Sequence, residues 1–179
     1  MLQPAIRFIG QISSVPVLLA LLLLAVLFPT VLFPAHGIGD IRPLDLYFLY
    51  SPDMVHEHLV ALGADGRRAY IGMALTSDMV FPVIYSMAMA VALMLVLRKL
   101  FPSSGRFRYL CLFPSLIIIA DWCENLGLAS VTRVFPERAD AIVRAASFFT
   151  SLKWTFIAIT VLMLLLATTC WLAKCIRGR

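Results

Sequence analysis

The sequence predicts an all-α integral membrane protein, a four-helix transmembrane bundle with an outer, extracytoplasmic cap that contains a short amphipathic helix. Of the 179 residues, 61% are hydrophobic and only 14% are charged, whereas a soluble domain carries roughly one-quarter charged residues. Four apolar segments have the length of about 20 residues that a helix needs to cross hydrocarbon. The basic residues flank these segments and form no basic face interleaved with aromatics, so nucleic-acid binding is not expected.

The apolar segments give the limits of the predicted spans. They are residues 15–33, 79–97, 109–131 and 146–172. The first segment resembles a signal peptide, but it is long, and the residues that follow it at 33–36 lack a small-x-small cleavage pattern, so we expect a retained helix. Little sequence remains for a separate soluble domain, which predicts a single transmembrane domain over residues 1–179.

The distribution of Lys and Arg predicts the orientation. Eight basic residues flank the spans on one side: Arg7, Arg98, Lys99, Arg106, Arg108, Lys174, Arg177 and Arg179. Six lie on the other side, mixed with seven acidic residues: Arg42, Arg67, Arg68, Arg133, Arg138 and Arg144. Because positive charge concentrates on the cytoplasmic side, we expect both termini in the cytoplasm and the loops 34–75 and 132–145 outside. A bacterial inner membrane is the expected location.

The outer cap, residues 34–75, is expected to be ordered. Ser51 followed by proline and aspartate is typical of a helix N-terminus, and Gly63 is a candidate C-cap, so the sequence predicts a short helix at Pro52–Leu62. Its apolar residues share one face, which we expect to lie on the bundle or in the headgroups. Residues 64–66 are predicted to form a turn.

A polar patch interrupts the third predicted span. Asp121, Glu124 and Asn125 are spaced i, i+3 and i+4, which places them on one face of a helix. A charged residue at mid-membrane costs about 2.5 to 3.5 kcal/mol on insertion scales, so we expect this face to point into the bundle. Three roles remain open: a binding or catalytic pocket, interhelical hydrogen bonding, and ion or proton conduction.

Four further residues are candidates for the same site. Asp78 begins the second span, where it either caps the helix or joins the patch. Lys153, in the outer part of the fourth span, either snorkels outward or pairs with one of the patch carboxylates. Asp78 and Lys153 map to the outer half of the membrane together with the patch, and Tyr85 and Trp154 are expected to line the same cavity.

The histidines of the cap and the four cysteines give weaker indications of a functional site. His56, with Glu57 beside it, could overhang the pocket, but the His56–His58 spacing matches no zinc motif, so no metal is expected. The four cysteines form no CxxC pair and are expected to pack as small hydrophobes. No cofactor is predicted, because no phosphate-loop, dinucleotide or nucleophile-elbow pattern is present.

The function expected from these observations is recognition of a small amphipathic or lipid-like ligand, with its polar end at the patch. In an enzymatic alternative, Asp121 and Glu124 act as acid and base on a lipid-like substrate, in an isomerisation or a hydrolysis, with Lys153 or Asn125 stabilising charge. In a third alternative the protein is an accessory subunit of a membrane complex. The expected partners are therefore membrane lipids, such a ligand, and a membrane-protein partner or a second copy of the chain.

Overall fold

The computed structural model describes residues 2–32 and 41–177, which contain α-helices and shorter helical turns but no strand. The α-helices are α1 (Gln3–Ile12), α2 (Val15–Leu27), α3 (Pro52–Leu75), α4 (Ser77–Leu100), α5 (Ser115–Val134) and α6 (Asp140–Arg177). A π-helical turn, Phe28–Leu32, extends α2, and 3-10 helices cover Leu44–Leu46 and Arg106–Leu112. The predicted end of the first span at residue 33 and the first part of the cap, 34–40, lie outside the described residues.

The structure agrees with a helical protein of the membrane type. Three described stretches are long and apolar enough to cross a bilayer: Pro52–Leu100, Arg106–Val134 and Asp140–Arg177. The pair Gln3–Ile12 and Val15–Val31 passes the same test only when the two helices are taken together, and they are bent by 92°. Length and composition therefore support three spans, or four if the bent pair is one span.

The helix bounds differ from the predicted spans at the third and fourth segments. The third helix was predicted from residue 109, but α5 begins at Ser115, and Tyr109 lies in the 3-10 helix. Pro114 has no N–H to continue an α-helical ladder, so the α-helix starts after it. The fourth helix is longer than predicted, because Asp140 in the first turn of α6 and the basic residues of its last turn suit the helix dipole.

The cap helix is confirmed at its start and extends further than predicted. The Ser51 side chain accepts a hydrogen bond from the Met54 N–H at 3.2 Å, and Gly63 breaks the helix with φ of +65°. The predicted turn at 64–66 is wrong, since these residues are helical. The Arg67 guanidinium donates to the Leu59 carbonyl at 2.7 Å across the break, so this side chain links the helix before Gly63 to the helix after it.

The amphipathic helix α1 was not predicted. It buries Ile9 in a cluster with residues of α4 and with Cys111 of the 3-10 helix. The Arg98 guanidinium of α4 donates a hydrogen bond to the Gly10 carbonyl of α1. The N-terminal helix is thus attached to the last turns of α4.

Two side-chain contacts show which ends of the long helices lie next to each other. The Trp122 indole of α5 donates to the Met79 carbonyl at the start of α4, at 2.8 Å. At the other end of α4, the Lys99 ammonium lies 4.5 Å from the ring centroid of Trp171, near the end of α6. Both described chain ends therefore lie at the end of the bundle that carries the last turn of α4.

α5 and α6 approach each other closely at Gly127. A Cβ atom at this position would lie 3.0 Å from the Ala146 Cβ. The absent side chain lets the two backbones come together, and the polar face of α5 is held against α6 as a result.

Candidate functional site

A buried ion cluster joins α5 and α6. The Lys153 ammonium lies 2.9 Å from Asp121 Oδ1 and 2.7 Å from Glu124 Oε2. Lys153 is 4% exposed, Asp121 7% and Glu124 0%. One cation between two carboxylates offsets much of the cost of burying all three groups. The snorkelling alternative for Lys153 is therefore wrong, and its predicted pairing is found with both carboxylates.

Asn125 extends this cluster toward α4. Its amide Nδ2 donates to Asp121 Oδ2 at 3.0 Å and lies 3.1 Å from the backbone carbonyl oxygen of Asp78. The first turn of α4 has no side-chain cap hydrogen bond. The capping role considered for Asp78 is therefore not seen, and its carboxylate makes no ion pair with any residue in the described part of the chain.

A cavity of about 260 Å³ opens beside the cluster, between α4, α5, α6 and the 3-10 helix at Leu44–Leu46. Its polar wall carries Asp45, Asp78, Asp121, Asn125 and Lys153. Its apolar wall is formed by Leu46, Phe81, Pro82, Tyr85, Trp154 and Ile157. The combination of a mostly apolar wall with a few converging polar groups is typical of a ligand site.

The segment around the first 3-10 helix covers the cavity and is tied to α6 at three points. The Trp154 indole donates to the Asp45 carbonyl at 3.0 Å. The Ser147 hydroxyl accepts from the Tyr50 N–H at 2.9 Å, and the Ser151 hydroxyl donates to the Phe48 carbonyl at 2.7 Å. These bonds place the Asp45 carboxylate at the cavity, although it lies far from the polar face of α5 in the sequence.

Tyr50 packs behind this cover. Its hydroxyl oxygen lies 3.0 Å from the Thr150 hydroxyl of α6. Burial first, and then the nearby Glu124 carboxylate, raise the pKa of the Tyr50 hydroxyl above its ordinary value. The hydroxyl therefore stays protonated at neutral pH and remains a hydrogen-bond donor within the polar interior.

The structure brings together most of the predicted site residues and separates two of them from the cavity. The residues that reach the cavity are Asp78, Tyr85, Asp121, Asn125, Lys153 and Trp154. Glu124 belongs to the ion cluster but lies behind the cavity wall. His56 is not part of the site, because its ring packs 5.2 Å from the Phe135 ring at a separate small cavity.

Asp45 was missed as a site residue. Its local signal was only an acidic residue beside interface aromatics, and nothing in the chain around it indicates that it meets α4 and α6. Acidic groups outnumber basic ones around the cavity, where Lys153 is the single cation among the described residues that line it. The charge arrangement therefore favours a ligand that brings hydrogen-bond donors or positive charge.

Among the described residues, the other His, Cys, Asp and Glu side chains do not form a second candidate site. No three His, Cys, Asp or Glu side chains in residues 2–32 and 41–177 are grouped to hold a metal ion. All four cysteines are free thiols, and Cys111 is fully buried.

Comparison of the chain with protein-family models, with curated proteins and with solved structures found no match.

Proposed function

We propose that this protein spans a membrane four times and binds a small amphipathic or lipid-like molecule in the cavity beside the ion cluster. The spans are α2 with its π-helical turn, α4, α5 and α6, with α3 and the 3-10 helix before it forming the outer cap. The exposed leucines of α6, Leu162, Leu165 and Leu166, are then lipid-facing, because apolar surface needs no cover in hydrocarbon.

The main observation that supports the proposal is the cavity itself. Its volume of about 260 Å³ is slightly below the range, about 300 to 1,000 Å³, that holds drug-sized ligands. It corresponds to roughly nine water molecules at about 30 Å³ each. A head group fits inside, and a longer apolar tail extends outward along Phe81, Tyr85 and Ile157.

The polar wall divides into a structural part and a ligand-facing part. Glu124 and Lys153 hold α5 to α6, and their charges are largely directed at each other. Asp78 and Asp45 have no charged partner among the described residues and face the cavity. An ammonium or another donor-rich head group placed between them satisfies both carboxylates, and the aromatic rings of the apolar wall favour a cation as well.

The enzymatic alternative is supported by one observation. Asp121, held by Lys153, and Asp78, which has no ion-pair partner in residues 2–32 and 41–177, are two carboxyl groups in different environments at one cavity. Such a difference is what acid and base roles require. In this form of the alternative, Asp78 replaces Glu124 as the second carboxyl group, because Glu124 does not reach the cavity.

We propose that both termini lie on the inner side of the membrane, because of the distribution of charged residues in the loops. The end of the bundle that carries the last turn of α4 holds Arg98, Lys99, Arg106 and Arg108, with no acidic residue between them. Positive charge of this density is typical of the cytoplasmic side. The cavity then opens toward the outer leaflet.

The test is native mass spectrometry of the protein extracted gently from its own membrane, comparing the wild type with Asp78→Asn. This substitution removes a cavity carboxylate and leaves the ion cluster intact. Asp65→Asn is the matched control, because Asp65 lies in the same outer region and makes only an exposed pair with Arg68. We expect a bound small molecule in the wild type and the control, with occupancy reduced by about tenfold in Asp78→Asn.

Two outcomes would overturn the proposal. One is a wild-type protein that carries no small molecule but a stoichiometric protein partner, which is the accessory-subunit alternative. The other is a ligand that is retained equally by all three forms, which places its site elsewhere. A retained molecule that is chemically converted on incubation with the wild type, and unchanged with Asp78→Asn, supports the enzymatic alternative.

A further inference from the structure

Three arginines meet at the end of the bundle opposite to the candidate ligand site. Arg7 of α1, Arg98 of α4 and Arg108 of the 3-10 helix Arg106–Leu112 line one cavity of about 290 Å³. Arg7 and Arg108 also line an adjoining cavity of about 260 Å³, together with Gln3 and Tyr109. None of the described residues that line either cavity is acidic.

Within the described part of the chain, the three guanidinium groups form hydrogen bonds with only some of their N–H donors. Arg98 donates to the Gly10 carbonyl, which attaches α1 to α4. Arg108 donates from Nη2 to the Pro102 carbonyl at 3.3 Å, but its buried Nε has no hydrogen-bond partner there. Arg7 makes no ion pair with a described residue. A buried donor without an acceptor is costly, and so is the convergence of three like charges.

The positions of Arg98 in α4 and of Arg7 in α1 correspond to the surface of the membrane. The stretch of α4 from Asp78 to Arg98 is about 30 Å long at about 1.5 Å per residue, which equals the typical thickness of the hydrocarbon core. Helix α1 is bent by 92° from α2, and the side chains of Phe8 in α1 and of Leu2 just before it are exposed. An amphipathic helix in this orientation is typical of one that lies along the headgroup layer.

We propose that Arg7, Arg98 and Arg108 form a binding site for a phosphate group, supplied by an anionic phospholipid of the inner leaflet. Guanidinium groups match phosphate oxygens in bidentate geometry, and basic pockets between helices on the cytoplasmic side bind anionic head groups. The phosphate neutralises the converging charges and accepts the free Arg108 Nε–H. The proposal rests on the membrane orientation proposed above, but it is independent of the ligand proposed for the outer cavity, since the two sites lie at opposite ends of α4.

The test measures thermal unfolding of the purified full chain in zwitterionic detergent, with added phosphatidylglycerol, phosphatidylcholine or inorganic phosphate. Arg7→Gln/Arg108→Gln removes two charges from the site, and Arg98 is kept because it holds α1. Arg106→Gln/Lys174→Gln is the matched control, because it removes the same charge from the same end of the bundle at positions that line neither cavity.

We expect phosphatidylglycerol, but not phosphatidylcholine, to raise the unfolding temperature of the wild type and the control. The lipid concentration for half of this effect should rise by about tenfold in the double variant of the site. If inorganic phosphate reproduces the shift or competes with the lipid, the phosphate site stands and its source is a soluble anion. If it does neither, the source is the lipid.

The proposal fails if phosphatidylglycerol does not stabilise the wild type, or if the control variant loses the effect equally, which would indicate only a general surface potential. If the double variant does not fold, Arg7→Gln alone gives the same comparison, because Arg7 has no ion-pair partner in the described residues. A single variant with unchanged lipid dependence then overturns the proposal.

Discussion

Replacing Lys153 by methionine is expected to destabilise the bundle more than any single change at the carboxylates. The ammonium lies 2.9 Å from one carboxylate oxygen and 2.7 Å from another. Each contact corresponds to about 6 kcal/mol of Coulomb attraction at an effective dielectric constant of about 20, and desolvation cancels most of it. Removing one partner from a buried ion pair costs about 3 to 5 kcal/mol. Lys153→Met should therefore lower the free energy of unfolding by about that amount.

Glu124→Gln should cost less, about 1 to 3 kcal/mol. In this variant Lys153 keeps its contact with Asp121, so one cation faces one carboxylate and the buried charge is balanced. Lys99→Met is the control for the methionine substitution. Lys99 is exposed, and its contact with the Trp171 ring is worth about 0.5 to 1 kcal/mol.

The assay is unfolding by SDS in mixed micelles, followed by far-UV circular dichroism. The double variant Lys153→Met/Glu124→Gln adds a second test of the charge argument. It removes one of the two carboxylates left without a cation, so it should regain about 1 kcal/mol or more relative to Lys153→Met alone. The reasoning would be refuted by additive losses in the double variant, or by a Lys153→Met cost no greater than that of Lys99→Met.

Two further predictions concern glycines, measured by the same SDS titration. Gly63→Ala should lower the free energy of unfolding by about 1 to 3 kcal/mol, because φ of +65° with ψ of −177° is a conformation that alanine adopts at that cost. Gly72→Ala, in open space within the same helix, should instead be neutral or stabilising by up to about 1 kcal/mol, and equal effects at the two positions would contradict the conformational argument. Gly127→Val should lower the free energy of unfolding by about 1 to 3 kcal/mol through overpacking, because even a Cβ at this position would lie 3.0 Å from the Ala146 Cβ of α6. An unchanged stability would show instead that α5 and α6 separate freely.

Local signals explain which parts of the fold could be predicted. The start of α3 was predicted from Ser51, whose side chain accepts from the Met54 N–H. The start of α2 was predicted from its apolar run alone, and the Ser14 side chain is found to cap it by accepting from the Val17 N–H. The break at Gly63 was predicted, but the helix beyond it was not. The bond from Arg67 to the Leu59 carbonyl that spans this break depends on side-chain geometry that a turn-like Ala-Asp-Gly sequence does not disclose.

The candidate site was predictable along α5 and largely unpredictable across helices. The i, i+3, i+4 spacing placed Asp121, Glu124 and Asn125 on one face. The same spacing could not separate Glu124, which is hidden behind the cavity wall, from Asp121, which lines it. Nor could it place His56, which was expected to overhang the pocket but packs against Phe135 at a separate small cavity.

The sequence by itself determined that the protein is helical, with segments long and apolar enough to span a membrane and with polar residues on an inward face, because composition and helical periodicity are properties of single segments. Tertiary structure alone decided that Lys153 bridges two carboxylates, that Asp45 joins Asp78 at one cavity, and that three arginines converge at the opposite end of α4. These contacts depend on how each helix is rotated and how closely it packs. Those rotations result from the fit of all the helices together, which no single segment encodes.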